Sequence, residues 1–296
     1  MRRLMDGYTI IEVMIFLAIS GFLLFVTIVT MGNQQAQAEF RSSVNDVNSK
    51  IQVWVDQVAN GLTGSTSQAV KDPLTNYDCT VDPADDNAYP QLSYSGSGSP
   101  RGANPNCIFL GRAMQVNTTS PNNDEITTYI VLGRRVYDPG CAGCVPTTTD
   151  SLSAAKPAAA VSPVNLTEHY RVPNGARILK VRNTGPYPDS RLFGFYNSFN
   201  KEGSQESIQN GNISVLAVQY PFTSNDSSES GDIQKCIKLQ DACGSPPGLN
   251  LWPMHEMQIC LGSTRNQDTA VLTITSSNGQ GASTKVSYDY NPWCTF

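Results

Sequence analysis

Gly7-Tyr8-Thr9-Ile10-Ile11-Glu12-Val13-Met14-Ile15-Phe16-Leu17-Ala18-Ile19-Ser20-Gly21 opens an almost wholly apolar run that continues to Met31. A helix rises about 1.5 Å per residue, so about 20 residues cross a bilayer core of roughly 30 Å. The run is therefore long enough to span. Arg2 and Arg3 precede it, and the next basic residue is Arg41. The positive-inside bias predicts an N-terminus on the cytoplasmic side and the bulk of the chain outside. One residue is out of character. Glu12 lies near the start of the run, and a lone carboxylate at the centre of a membrane helix costs about 3 kcal/mol on insertion scales, less near the interface. It calls for a cation, and no Lys or Arg within the run supplies one. A free α-amino group would do so if the chain were cut just before Tyr8 and packed beside a second copy.

This stretch resembles the processing and methylation motif of type IV pilins and type II secretion pseudopilins. The resemblance covers the short basic leader, the glycine, the aromatic-threonine start, the glutamate and the apolar helix. It implies that a dedicated membrane peptidase cuts after Gly7 and that the same enzyme N-methylates Tyr8. It also implies that Glu12 neutralises the N-terminal amine of a neighbouring subunit during assembly. Tyr8 stands where Phe is commoner, and Val29 stands where many major pilins carry a helix-kinking proline, which favours a minor subunit. Two plainer readings compete. An uncut anchor accommodates the run but leaves Glu12 unexplained. A secretory signal peptide finds a small-x-small site in Ala36-Gln37-Ala38, but the run exceeds the ~7–15 residues of such a core.

After Gly32 the pattern becomes amphipathic. Phe40, Val44, Val47, Ile51, Trp54, Val58 and Leu62 recur at steps of three and four, one stripe of a helix. Gln34, Gln35, Gln37, Ser43, Asp46, Ser49, Gln52, Asp56 and Gln57 lie mostly off it, and Gly61 to Thr66 mark its end. Unbroken from Tyr8 to Leu62, such a shaft is roughly 80 Å long, with Gly32-Asn33 as a soft point between its halves.

Beyond Leu62, segments rich in β-branched and aromatic residues alternate with turn clusters. The strand candidates are 108–116, 127–137, 177–182, 191–199, 213–220, 257–261, 270–275 and 284–290, with a hairpin at Ser276-Ser277-Asn278-Gly279. The expected class is α+β: a long N-terminal helix, membrane-spanning in its first half and amphipathic in its second, packed on a mainly antiparallel β-sheet domain with long loops. The expected organisation is leader 1–7, membrane and assembly helix 8–32, amphipathic continuation 33–64 and extracytoplasmic β-rich domain 65–296, with a sub-division near 139–163 left open. Tyr94–Pro105 and Pro139–Pro163 read as exposed, poorly packed chain.

Eight cysteines, all between Cys79 and Cys294, suggest disulfides and an oxidising compartment. Proximity suggests Cys79–Cys107, Cys141–Cys144, Cys236–Cys243 and Cys260–Cys294, although spacing alone leaves connectivity open. Cys141-Ala142-Gly143-Cys144 sits in a Pro/Gly/Thr loop, where a local disulfide is a better account than a redox or zinc motif. Asp82, Asp85, Asp86 and Asn87 lack EF-hand spacing and read as a solvated loop. His255 beside Glu256 reads as a polar surface pair. No nucleophile elbow, phosphate loop or metalloprotease helix is present, so no catalytic residue, metal or cofactor is expected.

The net charge of −5 and the absence of any basic block argue against a dedicated nucleic-acid binder, with a basic patch formed only in three dimensions left open. The expected function is a structural subunit, a minor pilin or pseudopilin. Its expected partners are other pilin subunits, the prepilin peptidase, the membrane and the inner-membrane platform of the assembly machine. It would start as a single-pass protein of the cytoplasmic membrane with its N-terminus inside and end in an extracellular filament. Two alternatives are a filament-displayed adhesin or DNA-uptake module, for which Tyr94, Tyr187, Tyr196, Tyr288 and Trp293 are candidate contacts, and a membrane-anchored extracellular enzyme.

Overall fold

The computed structural model describes residues 9–60, 77–82, 88–94, 107–134, 158–159, 167–184, 189–197, 215–220, 230–238, 252–253, 256–277, 281–289 and 291–295. The apolar run and the amphipathic segment form one helix, α1 (Ile10–Ala59), of 50 residues and about 75 Å. Thr9 caps it, its hydroxyl accepting from the Glu12 N–H at 3.3 Å, and Glu12 places a negative charge in the first turn, where the helix dipole favours it. Asn60 ends it, its backbone N–H and side-chain amide both reaching the Asp56 carbonyl, at 2.9 and 2.7 Å. The chain stays helical through Gly32-Asn33, so the expected soft point is not a break. A single glycine costs about 1 kcal/mol against alanine in a helix interior, too little to interrupt a long hydrogen-bond ladder.

Among the described residues thirteen strands follow, with β1 (Tyr77–Thr80) and β2 (Gln91–Tyr94) forming a separate antiparallel pair. A seven-stranded sheet runs in the order β10 (Trp252–Pro253), β9 (Val215–Gln219), β8 (Leu192–Asn197), β3 (Cys107–Val116), β4 (Glu125–Arg134), β5 (Ala158–Ala159), with β6 (Thr167–Arg171) also on β4. A four-stranded sheet runs β13 (Gly281–Ser287), β12 (Thr269–Ser277), β11 (Glu256–Ser263), β7 (Ala176–Asn183). Every pairing is antiparallel, so the expected α+β class holds. The strands flanking the expected Ser276–Gly279 hairpin, β12 and β13, pair antiparallel with Ser277 opposite Gly281, while Asn278 and Gly279 lie outside the described residues. At the β3 bulge Gly111 is required sterically, because a Cβ there would collide with the Phe195 carbonyl of β8.

The stripe Phe40, Val44, Val47, Ile51, Trp54 and Val58 is buried in one core with the inner faces of both sheets. These contribute Met114, Phe193, Phe195 and Ala217 from the larger sheet and Ile178, Met257, Ile259 and Leu272 from the smaller. Because α1 meets two sheets, its buried arc is wider than the stripe. Val55, Ser43 and Gln57 are also buried, and the last two had been read as off-stripe. A second short helix, α2 (Ser230–Ile237), covers the far face of the larger sheet with Ile233, Cys236 and Ile237 against Tyr196 and Tyr220.

Two stretches read as loose chain contain ordered pieces. Tyr94 closes β2, and Ala158-Ala159, inside Pro139–Pro163, is buried and hydrogen-bonded to β4 opposite Leu132 and Val131.

Ile51 has no solvent exposure at the centre of the shared core. Ile51→Ala should destabilise the protein by about 3 kcal/mol, read by denaturant titration of the full chain in micelles. A loss within experimental error of zero would mean that α1 does not seat the two sheets as described.

Candidate assembly site

The N-terminal half of α1 is uncovered. From Ile10 (82 % exposed) to Met31 its large apolar side chains are exposed, and among the described residues the only other exposed large hydrophobics are Val53 and Tyr288. The apolar surface runs around the whole circumference rather than along one stripe, which suits a helix surrounded by lipid or by other helices. It is the one helix among the described residues long and apolar enough to cross a membrane. Its composition fits that role, because the β-branched Ile10, Ile11, Val13, Ile15, Ile19, Val26, Thr27 and Ile28 are indifferent helix formers in water, whereas hydrocarbon compels every backbone group to bond internally. The hydroxyls are satisfied within the helix: Ser20 donates to the Phe16 carbonyl at 2.6 Å, Thr27 to Leu23 at 2.7 Å and Thr30 to Val26 at 2.9 Å.

Glu12 is exposed at the tip of this half. Among the described residues no cation pairs with its carboxylate. Gly7 and Tyr8, the residues expected to be processed, lie outside the described residues.

The C-terminal half is seated by polar contacts at two levels. At the neck, Arg265 pairs with Glu39 at 2.5 Å, and Gln35 donates to the same carboxylate at 2.9 Å. Asn174, whose positive φ of 55° suits asparagine in a tight turn, donates to the Glu39 carbonyl at 3.4 Å and to Ser43 Oγ at 3.1 Å. The Arg41 guanidinium lies 5.4 Å from the Tyr288 ring centre, and the Tyr288 hydroxyl donates to Asn45 Oδ1 at 3.3 Å.

Two turns further along, Glu168 of β6 gathers three donors. Lys50 Nζ approaches at 2.5 Å, Trp54 Nε1 at 3.1 Å and Arg112 at 3.2 Å. Tyr170, on the same strand, donates to Asp46 at 2.6 Å and meets Trp54 edge-on at 6.0 Å. Burial alone would raise the Glu168 pKa, but the hydrogen bond and charge of Lys50, the Trp54 N–H and the Arg112 charge outweigh it and hold the group below its ordinary value. Burial pulls the Arg112 guanidinium down, and Glu168 pulls it back up. This cluster was missed from sequence, yet a signal existed. Arg112 alternates with Met114 and Val116 on the core face of an apolar strand, and a cation there requires an anion.

The remaining expected residues fall as follows. Cys260 and Cys294 form a disulfide with Cα atoms 5.4 Å apart, binding the C-terminal tail to β11. Cys236 is disulfide-bonded. Cys141, Cys144 and Cys243 lie outside the described residues, as do the side chains of Cys79 and Cys107, so the other three expected pairings do too. Asp85, Asp86, Asn87, His255 and Tyr187 are likewise outside them. Among the described residues no cluster of three or more His, Cys, Asp or Glu could hold a metal. Tyr196, a candidate surface contact, is buried against the Tyr220 hydroxyl and is a core residue.

Because Glu168 is held below the ordinary glutamate value of about 4.3, its contribution to stability is fully present above that value. It is lost as pH falls through the lower, folded value. Glu168→Gln leaves Arg112 buried without its anion and should cost about 3 kcal/mol at neutral pH. It should also make the acid limb of stability shallower than in the wild type. Denaturant titrations across pH check this, and an unchanged acid limb would remove Glu168 as a source of acid sensitivity.

Compared with protein-family models, with curated proteins and with solved structures, the chain matches none.

Proposed function

We propose that this chain is a prepilin-like structural subunit, a minor pilin or pseudopilin, cut after Gly7, N-methylated at Tyr8 and assembled through α1 into a pilus-like filament. It begins as a single-pass membrane protein with its N-terminus inside. Its partners are the prepilin peptidase, the membrane platform of the assembly machine and other subunits. The observation that carries this reading is the conjunction of an apolar helix half uncovered on all sides with a carboxylate, Glu12, in its first turn. A simple anchor has no use for that charge. A new amine at Tyr8 of an adjacent subunit supplies the cation it lacks.

Two further facts support the reading. Ala36-Gln37-Ala38, the competing cleavage site, sits inside the continuous α1, only two residues before Phe40 enters the core. Burial of α1 against both sheets begins at Phe40, leaving Ile10–Met31 available to neighbours without disturbing the fold. The large β domain suits a subunit present in few copies better than one that must repeat densely.

Intact mass and N-terminal peptide mapping of the protein from its native membrane test this. The expected terminus is N-methylated Tyr8, with Gly7→Leu leaving the leader attached and Glu12→Ala processed but depleted from sheared filaments. A terminus at Glu39, or an intact Met1 in the wild type, would sink the proposal.

A further inference from the structure

A helix-capping residue stands beside the bond that the proposed function has cut. α1 begins at Ile10, and Thr9 is its N-cap, with φ −75° and ψ 148°, an extended backbone. The Thr9 hydroxyl oxygen accepts from the Glu12 N–H at 3.3 Å. Its carbonyl accepts from the N–H groups of Glu12 at 3.1 Å and Val13 at 3.2 Å. Thr9-Ile10-Ile11-Glu12 is thus a T-x-x-E helix start with the threonine half of the cap made. The hydrogen-bond ladder of α1 ends at Thr9, one residue past Tyr8.

The surroundings make this cap decisive. Large apolar side chains between Ile10 and Met31 are exposed, and a helix set in hydrocarbon has no water to satisfy its first-turn N–H groups. Where the helix starts is then set by which upstream residue accepts from them. Ser, Thr, Asp and Asn side chains do so, and apolar side chains do not. Before Ser20 the chain has two residues of these types, Thr9 and Asp6. A start capped by Asp6 would put Gly7, Tyr8 and Thr9 at the first three helical positions, with the Gly7–Tyr8 bond inside the first turn. Glycine opposes such a start only weakly. Competition between the two caps therefore decides on which side of the helix start the bond falls.

Proteolysis concentrates outside hydrogen-bonded structure, and cleavage of a bond held in a helix tracks the population of its opened form. We infer that Thr9 is a positioning residue for the proposed cleavage: by capping α1 it keeps the Gly7–Tyr8 bond out of the helix and open to the peptidase. This rests on the reading that the chain is cut after Gly7. The role requires no contact between Thr9 and the peptidase. Loss of the cap to Asp6 lowers the fraction of chains whose bond is open, so the effect falls on KM rather than on kcat.

The test is leader release from the full chain in micelles by the purified native prepilin peptidase, followed by intact mass. The wild type should be cut after Gly7. Thr9→Val, which keeps the side-chain shape and removes the hydroxyl, should lower kcat/KM about fivefold, the ratio expected for one lost cap. The loss should appear as a higher KM at unchanged kcat. Thr9→Ser should retain the wild-type rate. Adding Asp6→Ala to Thr9→Val should restore it by removing the upstream cap, and Asp6→Ala alone should leave it unchanged. Carbon-13 shifts of Gly7 and Tyr8 should move toward helical values in Thr9→Val and return in the double variant. Three outcomes would overturn the inference while leaving cleavage after Gly7 standing: full activity of Thr9→Val, a loss that neither Thr9→Ser nor Asp6→Ala relieves, or a loss without the helical shift. A wild type cut elsewhere, or not cut, would overturn both.

Discussion

One helix in this protein must be stable in two different surroundings, and the rest of the structure follows from that requirement. Up to Met31, α1 offers exposed apolar side chains in every direction, and none is among the buried core residues described. From Phe40 the same helix is enclosed by two sheets. The side-chain pattern changes over about two and a half turns, between Met31 and Phe40, whereas the backbone stays helical throughout. A backbone whose hydrogen bonds are all internal is the only kind that can make this transition without leaving orphaned groups on the apolar side.

The seat of the C-terminal half combines two kinds of interaction with different jobs. Apolar burial along Phe40–Val58 supplies most of the stabilisation but is tolerant of sliding, since Val and Ile side chains fill neighbouring grooves about equally well. The polar contacts fix where the helix stops. Glu39 with Arg265, Asn174 with Ser43, and Glu168 with Lys50, Trp54 and Arg112 each have one geometry. A shift of α1 by one turn would carry Lys50 and Trp54 away from Glu168 and leave that half-buried carboxylate to Arg112 alone, which is costlier than the small gain from pairing them. The ion cluster therefore acts on register more than on total stability.

What the sequence disclosed, and what it withheld, divides along the range of the interactions. The apolar run and the 3.6-residue stripe are local patterns that mark α1, and the Ser276–Gly279 signal falls between two strands that pair as neighbours. Glu12 was legible for the same reason, as a charge in the wrong place. Ser43 and Gln57 were misread because a helix between two sheets buries more than one stripe, and no local pattern reveals the second sheet. β5 is only Ala158-Ala159, two residues held by the edge of β4, with no periodicity to detect. β6, Thr-Glu-His-Tyr-Arg, reads as polar chain and becomes a strand only through its partner.

The way α1 is held also has a mechanical meaning. Its buried contacts extend from Phe40 to Val58, about 27 Å of axis, in one core shared with both sheets. A pull applied to the free end is directed along this interface, so the contacts must yield together in shear rather than one after another in peeling. Glu39–Arg265 stands first in line, at the point where load enters the domain. At the far margin the Cys260–Cys294 cross-link ties the chain end to β11, a strand that borders the shared core, so the layer gripping the helix cannot be drawn out from its own C-terminus. The domain is built as a handle that resists tension on its shaft.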